Sequence, residues 1–217
     1  MESRGGGRIL ANTAFRAIAD IGAKIASTAL YVVLARKVGD SRFGVYSYSL
    51  AFAGLATTLG SFGQDSILTR EVARDHRRLE DYFANTMALR VVIALPVLLL
   101  ALAIAAATGM SAQALTVTLL LGLGLTADLL SSTCFAVFQS YERLEFVAVV
   151  LLAQRWLTAA AGIGALLAGA GIETVAGIYL AGAALAAALG FALVRTRIER
   201  PRFSVDVARW KPLMAAA

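Results

Sequence analysis

The fold is decided by the first apolar segment, residues 9–36, which reads ILANTAFRAIADIGAKIASTALYVVLAR. It exceeds the roughly 20 apolar residues that a helix needs to cross a bilayer, yet it carries Arg16, Asp20 and Lys24 at steps of four. Each such step advances only about 40° around a helix, so the three side chains share one stripe. Charges at membrane depth face a bundle interior or a water-filled cavity. The segment therefore predicts a membrane helix surrounded by further helices.

The composition indicates a polytopic membrane protein. Hydrophobic residues make up 59% of the 217 residues, above the roughly 45–50% of a soluble domain, and the mean hydropathy is +0.74. Six apolar runs of near-span length follow one another. We therefore predict an all-α fold, with a six-helix transmembrane bundle over residues 9–195. The predicted spans are residues 9–36, 43–62, 86–108, 113–138, 146–168 and 174–194.

Polar segments flank and interrupt these spans. Residues 1–8 form a Gly- and Arg-bearing leader, and residues 196–217 form a basic tail. Residues 64–85 are the longest polar connection, and apolar side chains recur through them at near-helical spacing. We predict that this connection is an amphipathic helix on the cytoplasmic surface, with its basic side toward lipid headgroups.

The distribution of Arg and Lys predicts the orientation. These residues gather in the leader, in residues 70–78, at Arg143 and in the tail, whereas the turns after spans three and five carry none. The turn after span one, with Arg36, Lys37 and Arg42, is the exception. By the positive-inside rule, both termini are expected to be cytoplasmic. The same rule accounts for the net charge of +6 without a nucleic-acid partner.

Charged residues inside the spans are the candidate functional residues. Arg16, Asp20 and Lys24 form either an internal ion pair or the wall of a polar cavity. The cavity is favoured because Asp20 neutralises only one of its neighbours and Lys24 lies near mid-bilayer. Asp128 in span four either pairs with Lys24 or Arg155, or carries protons or Na⁺. Arg155 in span five is either paired or a substrate contact.

Enzymatic chemistry finds no support in the sequence. It contains no glycine-rich phosphate loop, no metal-ligand cluster and no nucleophile beside a base. The single cysteine, Cys134, excludes an intrachain disulfide. We therefore predict no enzyme activity, no catalytic residue, no metal and no cofactor.

Small residues recur at steps of four in the last two spans. They are Ala160, Gly164 and Ala168 in span five and Gly182, Ala186 and Gly190 in span six. Such steps let helices approach closely in lipid, so they indicate packing faces. Because Ala and Gly are frequent in this chain, some such series are also expected by chance.

Residues 35–47 read ARKVGDSRFGVYS, residues 62–63 and 69–73 read FG and TREVA, and residues 138–143 read FQSYER. These stretches resemble the junction of helices one and two, the segment after helix two, and the turn between helices four and five of the polysaccharide and O-antigen flippases. That family belongs to the multidrug/oligosaccharidyl-lipid/polysaccharide exporter superfamily. The resemblance extends over essentially the whole chain.

The resemblance implies a fold, a substrate and a set of site residues. Flippases of this family have two six-helix lobes around a central cavity and move undecaprenyl-pyrophosphate-linked oligosaccharide across the bacterial inner membrane by alternating access. Cationic residues facing the cavity are thought to hold the pyrophosphate. By this resemblance, Arg16 and Lys24 are the first candidates for that role and Arg155 is the next. Asp20 and Asp128 are candidates for charge pairing or ion coupling.

Six spans correspond to one lobe, the N-terminal one. A second lobe, self-association or polysaccharide assembly proteins are therefore expected to complete the cavity, and the 217 residues alone are not expected to transport. Three alternatives stay open. They are a non-transporting membrane scaffold lobe, a cation-coupled multidrug exporter of the same superfamily with Asp128 as its coupling site, and an integral membrane enzyme.

Overall fold

The computed structural model describes residues 3–58, 63–199 and Trp210, although the side chains of residues 3–16 and of Ala56 lie outside the description. The helices are α1 (Ser3–Thr58), α2 (Gln64–Arg74), α3 (Leu79–Ala107), α4 (Ala112–Ser140), α5 (Leu144–Leu167) and α6 (Ile172–Leu193). A 3₁₀ turn (His76–Arg78) precedes α3, and a π turn (Val194–Ile198) follows α6. The described residues form no strand, and the predicted all-α fold is confirmed.

Helix α1 is a hairpin of two antiparallel arms that reverses at Gly39. The rings of Tyr31 and Tyr46 lie edge to face with centroids 6.3 Å apart, whereas fifteen residues of a straight helix would separate them by about 22 Å. Gly39 has φ 78° and ψ 166°, outside the helical region, where a residue without a Cβ is favoured. The first arm (residues 3–38) and the second arm (residues 40–58) occupy the places of the first two predicted spans.

Five helices are long and apolar enough to cross a membrane, and the first of them extends from Ala17 to Leu55. Its 39 residues correspond to about 58 Å of straight helix, nearly twice the roughly 30 Å of a hydrocarbon core. The hairpin at Gly39 divides this length into two crossings. The described residues therefore agree with a bundle of six crossings.

The predicted amphipathic segment 64–85 is divided between two helices. Helix α2 buries Ile67, Leu68 and Val72 against the bundle. Helix α3 begins at Leu79, before the predicted start of span three at residue 86. The Asp75 carboxylate accepts a hydrogen bond from the backbone N–H of Arg77 at 3.1 Å, which caps the turn between the two helices and lets α3 begin early.

Helix α4 is the central helix, because it contacts each of the other five, while α5 packs along α1 and α6 packs along α4. At Gly124 of α4 an added Cβ would lie 2.7 Å from the ring of Tyr179 in α6. Glycine is therefore required for the close approach of α6 at this level. Asp128 lies one turn further along the same face of α4, so the approach brings Tyr179 beside it.

Candidate functional site

A polar cleft of about 480 Å³ lies between the first arm of α1 and α5. Its walls are formed by Asp20, Ala23, Lys24, Ser27, Thr28, Tyr31, Leu151 and Arg155. The residues from α1 recur at positions i, i+3, i+4, i+7, i+8 and i+11 and so form one helical face, and Leu151 and Arg155 are one turn apart on α5. The polar cleft therefore forms where the stripes of two neighbouring helices meet.

The first arm presents three faces of different chemistry. The face turned into the bundle carries Ala19, Ala26, Leu30 and Leu34, which are all buried. Another face carries Ile18, Ile21 and Ile25, which are 65%, 59% and 57% exposed. In a membrane-spanning helix, such exposed large apolar side chains suit contact with lipid tails. Successive residues of a helix are about 100° apart around its axis, so the face of α1 that lines the polar cleft lies between these two faces. The polar cleft therefore adjoins a surface suited to lipid.

Arg155 at the wall of the polar cleft is paired with an acid from the neighbouring helix. Its Nη2 atom lies 3.5 Å from Oδ2 of Asp128, and the two side chains are 30% and 21% exposed. Gln154 Nε2 donates to Asp128 Oδ1 at 2.6 Å, and the Tyr179 hydroxyl donates to Oδ2 at 2.7 Å. Side chains from α4, α5 and α6 therefore converge behind the cleft wall.

The structure brings four of the five predicted site residues to one place. Asp20, Lys24 and Arg155 line the polar cleft, and Asp128 lies behind it in contact with Arg155. The sequence offered two partners for Asp128, Lys24 and Arg155. Among the described residues, Asp128 forms its ion pair with Arg155. The side chain of Arg16 lies outside the described residues.

The formal charges around the polar cleft are balanced. Lys24 and Arg155 carry two positive charges, and Asp20 and Asp128 carry two negative charges. Hydroxyl groups of Ser27, Thr28 and Tyr31 lie on the same wall as Lys24. Lysine, arginine and hydroxyl donors together suit an anionic ligand with several oxygen acceptors, such as a phosphate ester.

A second arginine, Arg90 of α3, is enclosed between α2 and α4, and its side chain is 0% exposed. On the α2 side, its Nε donates to Gln64 Oε1 at 3.2 Å, and its Nη2 lies 2.9 Å from Oδ1 of Asp65. The carboxylate supplies a counter-ion for a fully buried cation.

On the α4 side, one nitrogen of Arg90 reaches a group of oxygen acceptors. Its Nη1 donates to Ser132 Oγ at 2.8 Å and to Thr133 Oγ1 at 2.6 Å. It also donates to the backbone carbonyl of Leu129. Nε and Nη1 of Arg90 are therefore hydrogen-bonded and Nη2 is ion-paired with Asp65, and the arginine connects α2, α3 and α4.

The sequence assigned no role to Arg90, Gln154 or Tyr179. The partners of Arg90 lie 25 or more positions away in the chain, so no local spacing could reveal them. Tyr179 contacts Asp128 across 51 positions. One local signal was available for Gln154, since a polar amide inside a membrane span requires a partner.

No group of three or more His, Cys, Asp or Glu side chains that could hold a metal ion occurs in the described part of the chain.

A family model described as "Polysaccharide biosynthesis protein" matches residues 9–217. No curated protein and no solved structure matches the chain.

Proposed function

We propose, on the premise that the chain belongs to the polysaccharide biosynthesis protein family, that it is one lobe of a flippase. Its substrate in this proposal is an undecaprenyl-pyrophosphate-linked oligosaccharide, which it helps to move across the bacterial plasma membrane. The observation that carries the proposal is the polar cleft, which Lys24 of α1 and Arg155 of α5 line together. Both helices are long and apolar enough to cross a membrane.

The depth of Lys24 supports a binding role. It lies fifteen residues before the turn at Gly39, which corresponds to about 22 Å along the helix. This distance is shorter than a hydrocarbon core of roughly 30 Å, and in this proposal Lys24 lies within that core. A lysine at such depth costs about 2.5–3.5 kcal/mol on insertion scales. That cost is offset when the lysine meets an anionic ligand, and a pyrophosphate supplies one.

The position of the polar cleft also suits a substrate that is part lipid. The exposed face with Ile18, Ile21 and Ile25 adjoins the cleft face of the same helix. A polyprenyl chain can therefore remain against apolar side chains while its pyrophosphate reaches the polar groups. The cleft walls come from α1 and α5, so in this proposal a second lobe, a second copy or a partner supplies the opposite wall.

The proposed orientation follows from the crossings. With six alternating crossings, the end that holds α2, the turn between α4 and α5, and the end of α6 carries Arg70, Arg74, Arg77, Arg78, Arg143, Arg195 and Arg197. The opposite end carries Arg36, Lys37 and Arg42. In this proposal the first end is cytoplasmic, as the positive-inside rule predicts, and both chain termini are cytoplasmic as well.

The surroundings of Asp128 disfavour the alternative of a cation-coupled exporter. A carboxylate that binds Na⁺ or a proton during transport needs free acceptor capacity. Both oxygens of Asp128 accept hydrogen bonds, and a guanidinium lies beside it. The cation of Arg155 occupies the place that a coupling cation would take.

The first test is a binding experiment with the full chain in nanodiscs of neutral phosphatidylcholine. The probe is farnesyl pyrophosphate, a short polyprenyl pyrophosphate, and farnesol serves as the comparison ligand without a charge. We expect Lys24→Gln and Arg155→Gln each to weaken binding about tenfold, since each removes a charge-assisted contact. The matched control is Lys37→Gln near the Gly39 turn, which should bind as the wild type does.

The proposal is overturned if wild-type protein binds farnesol as tightly as farnesyl pyrophosphate, or if both cleft variants bind unchanged. Transport is tested separately by the delivery of a fluorescent polyprenyl-pyrophosphate sugar to the outer leaflet of proteoliposomes. If the chain binds the probe but does not transport the sugar, even when it is co-expressed with candidate partner proteins, the scaffold lobe is favoured over the flippase lobe.

A further inference from the structure

We propose that Asp128 is the resident counter-ion of Arg155, which releases the arginine to an incoming anionic head group and takes it back when the head group leaves. Gln154 and Tyr179 are positioning residues that make this exchange possible. The inference rests on the proposed function and adds the residues that control how available Arg155 is to the ligand.

The geometry of the ion pair suits exchange. Nη2 of Arg155 lies 3.5 Å from Asp128 Oδ2, whereas Nη2 of the enclosed Arg90 lies 2.9 Å from Oδ1 of Asp65, whose side chain is 41% exposed. Arg155 is also 30% exposed and lines the polar cleft. The same guanidinium therefore faces its counter-ion on one side and the ligand space on the other.

The carboxylate keeps hydrogen bonds when the arginine leaves. Gln154 donates to one oxygen of Asp128 at 2.6 Å and Tyr179 to the other at 2.7 Å. A buried carboxylate that loses its cation without such donors would be strongly disfavoured. The two neutral donors lower the cost of separation, so Tyr179 and Gln154 set how easily Arg155 is released.

The charge balance of the site makes displacement the route of binding. Lys24 and Arg155 are matched by Asp20 and Asp128, so an anionic head group competes with a resident carboxylate for the arginine. Removing the charge of Asp128 should free Arg155 for the ligand. Removing the hydroxyl of Tyr179 leaves Asp128 with one fewer hydrogen-bond donor. The ion pair of Asp128 with Arg155 should then be harder to break, so Arg155 becomes less available to the ligand.

The two substitutions should therefore change ligand binding in opposite directions. The experiment measures binding of farnesyl pyrophosphate to the full chain in phosphatidylcholine nanodiscs. We expect Asp128→Asn to tighten binding about tenfold and Tyr179→Phe to weaken it about threefold, each effect being absent in an Arg155→Gln background. Matched controls are Asp40→Asn at the exposed turn and Tyr48→Phe on an exposed surface, which should leave binding unchanged. If Asp128→Asn and Tyr179→Phe both weaken binding, the two residues act only through the fold and the inference is overturned.

A second readout needs no ligand. Phenylglyoxal modifies accessible guanidinium groups, and mass spectrometry of peptides gives the rate at Arg155, with the enclosed Arg90 as an internal reference. Asp128→Asn should raise the rate at Arg155, and Tyr179→Phe should lower it. If wild-type protein does not bind farnesyl pyrophosphate, the proposed function fails. The labelling rates then decide whether Asp128 holds Arg155, and equal rates in wild type and Asp128→Asn would reject that role.

Discussion

Two arginines inside the bundle contact the same short stretch of α4 and have very different surroundings. Arg90 contacts the Leu129 carbonyl and the hydroxyls of Ser132 and Thr133, and it is 0% exposed. Arg155 contacts Asp128 of the same stretch, residues 128–133, and it is 30% exposed beside the polar cleft. One helix segment therefore serves an enclosed arginine and an accessible one.

The difference indicates what each arginine can do. The three guanidinium nitrogens of Arg90 are all engaged, so a ligand could bind there only by breaking contacts that hold α2, α3 and α4 together. Arg155 has a longer ion pair with Asp128 and lines the open polar cleft. Residue type and depth do not distinguish a structural arginine from a binding one. The burial of the side chain and the number of its polar partners do.

The largest expected effect comes from Arg90→Leu, which should lower the free energy of unfolding by about 3–5 kcal/mol. The change leaves the Asp65 carboxylate and the acceptors on α4 without their donor. Unfolding by SDS in mixed micelles measures the loss. A loss below about 1 kcal/mol would be no larger than that expected for an ordinary surface residue. Arg90 would then contribute little to stability, and the contrast with Arg155 would disappear.

The next effect is that of Asp65→Asn, which should lower the free energy of unfolding by about 2 kcal/mol, since a buried guanidinium loses its charged acceptor. Asp40→Asn at the exposed Gly39 turn is the matched control and should stay within about 0.5 kcal/mol of wild type. The same SDS titration compares the two. Equal values for both variants would mean that Arg90 does not need its carboxylate.

Replacing Arg155 with leucine should change the free energy of unfolding by only about 1 kcal/mol, because Asp128 keeps two neutral donors. Binding of farnesyl pyrophosphate should nevertheless fall about tenfold or more. Nanodisc binding and SDS unfolding of the same preparation separate the two effects. A loss of stability as large as that of Arg90→Leu would assign Arg155 to the structural class.

The smallest effect is expected for Thr133→Val, an isosteric change that removes one acceptor of Arg90 Nη1. Since the Leu129 carbonyl and Ser132 accept from the same nitrogen, we expect a loss of about 0.5–1 kcal/mol. Thr116→Val on the exposed surface of α4 is the matched control. If Thr133→Val costs as much as Arg90→Leu, the acceptors are not redundant and the enclosed site depends on a single contact.

Packing faces illustrate what spacing alone can predict. In α6, Gly182 and Gly190 do face neighbouring helices. An added Cβ would meet Thr158 at Gly182 and Cys134 at Gly190. The corresponding series in α5 does not, because an added Cβ on Gly164 would meet nothing within 4 Å. The contact face of α5 contains Gly162 instead, which adjoins Leu30. Small residues are so frequent here that several faces of one helix look suitable, and the neighbours select among them.

Properties that depend on neighbours along the chain follow from the amino-acid sequence alone. Apolar runs of span length specify membrane helices because every backbone group must be satisfied within its own segment. Steps of four place Asp20 and Lys24 on one stripe because helical periodicity is local, and Gly39 favours a reversal because it has no Cβ.

The packing of the helices sets which charges are enclosed and which face the polar cleft. Asp128 could have paired with Lys24 or Arg155, and α5 and α6 bring Arg155 and Tyr179 to it. Arg90 is enclosed because α2 folds back with Gln64 and Asp65 while α4 supplies the remaining acceptors. The free energy of a charge in a membrane depends on partners from other helices, and those partners are set by packing over tens of residues.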